Sequence, residues 1–244
     1  RQLVSIFSKS LMVDLDTPGI SKAIYAENYR EIDHTNIYSE KLEKKKKILD
    51  LGANIGYYTL QAASDSQEDS EIICIEPDPR NLELLRENVK NNDLDDRVKI
   101  LPGAVTGEEG TVSIEVGGAS NLNRIIDKKQ KLEKPIEVKA FSLDSIYDNH
   151  GNFDCLRMDV EGAESIIFSK NSKKFLSSMP SQSTIFMELH PLSYVGGDDA
   201  MIDAIDRLSE CGFSNFEIVT AGRKQDKKIT DKVSSPPVNI YLDG

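Results

Sequence analysis

From residue 47 onward, short apolar runs alternate with longer segments in which apolar residues recur every three or four positions. The runs KILDL (47–51), EIICIE (71–76), VKIL (98–101), FDCLRMDV (153–160) and TIFMEL (184–189) have the length and aliphatic content of buried strands. Helical spacing follows four of them, over 55–64, 79–91, 162–177 and 199–211. Asp78 is placed to cap the second of these helices, with Pro79 in its first position, and Gly212 to end the last. Two further strands are predicted at 216–220 and 238–242. Only the polar stretch 221–237 lies between them, with no crossover helix, so the last strand is expected to run antiparallel.

Strands alternating with helices predict an α/β fold, a doubly wound and mostly parallel sheet covered on both faces. Residues 106–146 interrupt the alternation as a β-rich insert, with strand-like segments at 111–116 and 136–141 around 120–123. Residues 1–46 read as an N-terminal extension whose Tyr25, Tyr29 and Tyr38 suit a flap over the ligand end of the sheet. Residues 47–244 then form the main domain, and the lysines at 44–47 a solvated turn before it.

Composition narrows the class. The 244 residues carry 41 acidic and 30 basic side chains, a formal charge of −11 that disfavours nucleic acid as a partner. No run is long enough to span a bilayer. The three cysteines, Cys74, Cys155 and Cys211, form neither a disulfide framework nor a zinc spacing, which suits a reducing, cytoplasmic setting.

The chemistry concentrates at strand ends. Asp50-Leu51-Gly52-Ala53-Asn54-Ile55-Gly56 joins the first strand of the main domain to its first helix. A dinucleotide fingerprint would need glycines at 54 and 57, where the chain has Asn54 and Tyr57, and Asp50 would repel a pyrophosphate. A cationic amino-acid ligand without phosphate, such as S-adenosylmethionine, suits a carboxylate better. Glu76, about twenty residues beyond the turn, stands where an acid accepts both ribose hydroxyls, and Pro77 ends that strand.

DLGANIGYYT, IEPDP, LPGAV and MDVEGAE together resemble the FkbM family of S-adenosylmethionine-dependent methyltransferases, from about residue 47 to at least 190. The resemblance implies a class I, Rossmann-like fold: a seven-stranded sheet with a reversed last strand and the cofactor across the strand ends. It implies that Asp50, Gly52, Asn54 and Gly56 contact the methionine part and that Glu76 holds the ribose. Gly103 and Ala104 would border the adenine, and Asp159 would lie near the amino or methyl end. The implied activity is methylation, mainly of hydroxyls on natural products and glycans.

Two strand ends carry the candidate acceptor chemistry. Alternation puts Glu188 and His190 on one side, and Asp159 and Glu161 likewise if extension continues past residue 159. A hydroxyl acceptor benefits from a base, so His190 is the first candidate, with Glu188 or Asp159 orienting it or sharing its role. Asp159, Glu161, Glu188 and His190 could also take Mg²⁺ or Ca²⁺, although no metal is expected. His34 and His150 read as polar loop residues. The competing functions are a nicotinamide-dependent oxidoreductase, which lacks a Tyr-x-x-x-Lys pair here, and a non-catalytic S-adenosylmethionine-binding scaffold or sensor.

Overall fold

The computed structural model describes residues 1–16, 19–116, 124–125, 135–168, 170–190, 193–219 and 238–243. A hairpin, β1 (Gln2–Ile6) and β2 (Lys9–Val13), opens the chain, followed by α1 (Ile20–Glu27) and α2 (Ile32–Leu42). The alternation then begins with β3 (Lys47–Leu51), α3 (Tyr57–Asp65), β4 (Glu71–Glu76), α4 (Pro79–Asn91) and β5 (Val98–Pro102). Four short strands come next: β6 (Ala104–Val105), β7 (Gly110–Glu115), β8 (Arg124–Ile125) and β9 (Pro135–Phe141). The chain continues through α5 (Leu143–His150), β10 (Cys155–Met158), α6 (Glu164–Ile167), α7 (Lys173–Ser178), β11 (Thr184–Leu189) and α8 (Gly197–Glu210). It closes with β12 (Asn215–Val219) and β13 (Val238–Asp243).

Seven strands form the main sheet in the order β12-β13-β11-β10-β3-β4-β5. All neighbours pair in parallel except β13, which runs antiparallel to both β11 and β12. This is the doubly wound sheet with a reversed last strand. Winding proceeds outward from β3 to β5 and then returns to β10 on the other side of β3, which opens a crevice at the carboxyl ends of β3 and β10. The short strands make a separate sheet, β6-β9-β7-β8.

Strict alternation along the central strands explains why both faces are buried. Ile48, Ile72, Cys74, Cys155 and Phe186 pack on one face with Leu11, Ile24, Tyr38, Leu60 and Leu85. Leu49, Leu51, Ile73, Ile75, Leu156, Met158, Ile185 and Met187 pack on the other with Ile146, Ile167, Phe175 and Leu208. The period of two therefore assigns each residue of β3, β4, β10 and β11 to a layer. Cys155 lies wholly inside, and burial pushes its thiol up to about 12, out of the nucleophilic range.

Several elements depart from the sequence expectation. The helix expected over 162–177 starts only at Glu164, after a left-handed turn at Gly162 (φ +104°) packed against the Ser193 carbonyl, and it is broken into α6 and α7 where Phe168 (φ −85°, ψ 37°) leaves the helical region. The β-rich insert ends at Phe141. Ser142 then caps α5 reciprocally with Ser145. His34 belongs to α2 and is buried, and His150 ends α5. In the lysine turn, Lys45 is buried and donates to the Gln182 carbonyl, whereas Lys44 and Lys46 are exposed. Segments 120–123 and 221–237 lie outside the described residues.

Residues 1–46 contribute Val4, Ile6, Leu11, Val13, Ile24, Tyr38 and Leu42 to the core, while Tyr25 and Tyr29 are exposed. The fully buried Asn88 of α4 joins the hairpin to the sheet layer. Its amide donates to the carbonyls of Met12 and Ile55, and its oxygen accepts from the Met12 N–H. Among the described residues no helix is long and apolar enough to cross a membrane. Asn88→Ala strands three polar groups at once, and we expect it to lower the unfolding free energy by about 2–4 kcal/mol, read as a fall in the urea midpoint. An unchanged midpoint would mean that the hairpin is held by its apolar contacts alone.

Candidate functional site

A cleft opens at the carboxyl ends of β3, β4 and β10. Leu51, Ile75, Ala104, Val105, Ile114 and Val160 supply much of its apolar lining. Gly52, Asn54, Glu76, Pro77, Gly103, Ala104 and Asp159 all border it, as do Arg30, Arg157 and Glu161. Gly52 (φ +75°) lets β3 and β10 meet: an added Cβ would stand 1.9 Å from the Asp159 carbonyl oxygen. Gly52 and Ala53 donate to the Ile75 carbonyl, and Asn54 turns left-handed at φ 53°.

Glu76 is bound into the turn it faces. Its carboxylate accepts from the backbone N–H groups of Asn54 (2.8 Å) and Asp78 (2.9 Å) and from the Asn81 amide (3.2 Å). Burial pushes its pKa up to about 7 against these bonds. Asp50 is placed differently from the cleft residues. It is fully buried and absent from the lining, accepts from the Thr59 hydroxyl (2.7 Å), and meets Arg157 at 3.4 Å. Gly56 also lies off the lining. Its left-handed turn (φ +97°) starts α3 against Leu85.

Arg157 is the residue that strand reading passed over. Register sets it opposite Asp50, and the period of two puts Asp159 on its own side of β10. One guanidinium nitrogen reaches Asp50 and the Gly52 carbonyl (3.2 Å), and the other reaches Asp159 (3.1 Å). The group stacks 4.2 Å over the Tyr58 ring. Its signal was visible: one cation inside the apolar run FDCLRMDV has to be paired if that run is buried. Arg30, between α1 and α2, approaches Asp159 at 3.7 Å from the other side. Burial alone would raise the Asp159 pKa, but the two arginines outweigh it and hold the carboxyl below its ordinary range.

At the end of β11, the structure gathers His190, Glu188, Asp159 and Glu161. His190 Nε2 is 3.7 Å from a carboxylate oxygen of each. Extension does not carry Glu161 there. β10 ends at Met158, and a left-handed turn at Glu161 (φ 53°) folds its side chain back. Nδ1 faces the fully buried Glu164 at 2.8 Å, the last acid of the MDVEGAE motif, for which the sequence suggested no role. Burial disfavours the imidazolium, yet Glu164, Asp159 and Glu188 outweigh it and carry His190 up to about 9. Burial and the charges of Asp159 and Glu31 push Glu188 up to about 8. These groups exchange protons as a set.

Ligand atoms of Asp159, Glu188 and His190 lie within 4.8 Å of one another, close enough to consider a cation. Arg157 and Arg30 stand beside Asp159, so two cations already share that carboxylate. The cleft does suit an adenosyl amino acid. It offers Glu76 to a diol, an apolar stretch to a base, and adjacent opposite charges at Asp159 and Arg30.

A family model described as the methyltransferase FkbM domain matches residues 50–214. No curated protein matches the sequence. Among solved structures, precorrin-6y C5,15-methyltransferase from Geobacter metallireducens superimposes with a TM-score of 0.52 at 13% identity, covering 99% of this chain and 97% of that one. A methyltransferase FkbM from Methylobacillus flagellatus also gives 0.52 at 13% identity, over 82% of this chain and 44% of its own. At such identities the structures establish the fold, whereas the family model spans well over half the sequence. From Asp50 through the Asp159 turn to α8, the match and the sheet order agree: this chain belongs to the FkbM methyltransferase family and carries the class I methyltransferase fold.

Proposed function

We propose that the protein methylates a hydroxyl on a small molecule, natural product or glycan, with S-adenosylmethionine as donor, in a cytoplasmic setting. The observation that carries this reading is the position of His190: its Nε2 is 3.7 Å from each of three carboxylates, and two of these, Asp159 and Glu161, line the cleft. When bound, S-adenosylmethionine supplies an electrophilic methyl group on a sulfonium. Gly52, Asn54, Glu76, Pro77, Gly103, Ala104 and Asp159 would hold it. Asp50 contributes through Arg157 rather than by contact, and Gly56 through the shape of the turn.

The protein must still bring an oxygen lone pair to the methyl group and take up a proton. Glu164 and Asp159 help keep His190 protonated near neutrality, so it starts as a hydrogen-bond donor that orients the acceptor. The base is a member of the same set after one proton has left, either Glu188 or the neutral imidazole. Glu164 orients the imidazole through Nδ1, and Asp159, held ionised by its arginines, keeps a negative charge beside both. The formal charge of −11 favours a neutral polyhydroxylated acceptor over nucleic acid.

Calorimetry tests the donor. S-adenosylmethionine and its demethylated product should both release binding heat and NADH none, and Glu76→Gln should weaken the product by about tenfold. Clear NADH binding without either adenosyl ligand would instead favour the oxidoreductase reading.

The proton network sets a pH dependence. Because the base forms by proton loss from groups near 8 and 9, turnover on a hydroxylated acceptor should rise between pH 7 and 9 and then level. Glu164→Gln removes the anion that holds the His190 proton, so the rise should move to lower pH. His190→Gln and Asp159→Asn should each lower turnover by about 10²-fold. A flat profile, or wild-type turnover in both variants, would count against these roles. Donor binding with no turnover on any acceptor would favour a scaffold or sensor.

A further inference from the structure

Arg30 lies outside the stretch matched by the family model, yet it is built into the cleft. Its backbone is clamped on both sides: the N–H donates to the Tyr57 hydroxyl at 2.9 Å, and the carbonyl accepts from the Thr35 hydroxyl at 2.7 Å. Its Nε donates to Glu31 at 2.8 Å, and Glu31 is itself held by the Tyr58 hydroxyl at 2.6 Å. These bonds leave the outer fork, Nη1 and Nη2, free to face the cleft. The nearest carboxylate oxygen, on Asp159, is 3.7 Å from Nη2, beyond hydrogen-bond range. Among the described residues neither nitrogen of the fork makes a hydrogen bond. Arg157 differs, since both of its terminal nitrogens are already bonded to Asp50, Gly52 and Asp159.

We propose that Arg30 receives the carboxylate of the methyl donor's amino-acid end, with Asp159 beside it receiving the ammonium. This rests on the donor reading above and deepens it by bringing the N-terminal extension into the cofactor site. Any ligand that fills the cleft strips water from a guanidinium fork that is only one-fifth exposed. A ligand without an anion there leaves charged donors unpaired, which is unfavourable. A carboxylate meets the fork with two parallel, charge-assisted bonds. The adjacent negative charge of Asp159 then selects a ligand that carries both signs on neighbouring atoms. An α-amino acid has that form, and a phosphate-bearing dinucleotide does not.

The test is calorimetric and needs no acceptor. Wild type, Arg30→Gln and Arg30→Lys are titrated with S-adenosylmethionine, with its decarboxylated analogue, and with 5′-methylthioadenosine, which lacks the whole amino-acid end. Wild type should prefer S-adenosylmethionine over the decarboxylated analogue by about tenfold or more. Arg30→Gln should abolish that preference while binding 5′-methylthioadenosine as wild type does, and Arg30→Lys should keep part of it. Unchanged S-adenosylmethionine affinity in Arg30→Gln would overturn the assignment. Equal weakening toward all three ligands would overturn it in favour of a purely structural role. A wild-type protein that binds none of them would defeat the donor reading itself.

Discussion

The arrangement depends on one buried cation. Arg157 sits in the middle strand of the sheet, almost fully excluded from water, between Asp50 on β3 and Asp159 at the end of its own strand. Such a group is tolerated only if its charge is met, and removing either acid would leave an uncompensated charge in the core. Parallel register puts Arg157 opposite Asp50, and the period of two puts Asp159 on the same side. Tyr58 covers the guanidinium face. The carboxylate at the cleft is therefore anchored through the sheet, with little freedom to turn toward solvent.

This anchor sets the electrostatics around it. Asp159 is kept ionised by Arg157 and Arg30, and its charge then helps to hold a proton on His190 and to discourage ionisation of Glu188. Glu164 reinforces the imidazolium from the buried side. The cleft thus has one permanently charged acid next to a pair whose proton count changes in mildly alkaline solution. A set of this kind can hold a cationic ligand and manage a proton with different members, which a single histidine base could not do.

Much of this was legible in the sequence wherever local rules and burial agree. Both-face burial made KILDL, EIICIE and TIFMEL readable as central strands, and Asp78-Pro79 marked the start of α4. The positions bordering the cleft followed from their places at strand ends. Asp50 was read as a ligand contact because a strand-end acid looks the same whether it faces a ligand or a buried arginine. Its partner Arg157 sits inside the apolar run FDCLRMDV, where the period of two marks it as one more strand residue. The late start of α6 depends on Ser193 crossing over Gly162, a contact that no local pattern records. The hairpin β1–β2 turns at Phe7 and Ser8, both with positive φ and neither a usual residue for such a turn, so nothing in the string announced it.

The N-terminal extension is where a local reading loses most. Described as a flap, it would be a cover that could be removed without disturbing the sheet. Instead Tyr38 and His34 pack around Phe186, Asn88 ties β2 to α4, and the α1–α2 turn delivers Arg30 to the wall of the cleft. The same tyrosines do both jobs: Tyr57 holds the Arg30 backbone, and Tyr58 binds Glu31 while stacking on Arg157. A displacement of the extension would therefore reach Asp159 by two routes, through Arg30 directly and through Tyr58 and Arg157. Contacts of this kind join a segment outside the family match to the centre of the cleft.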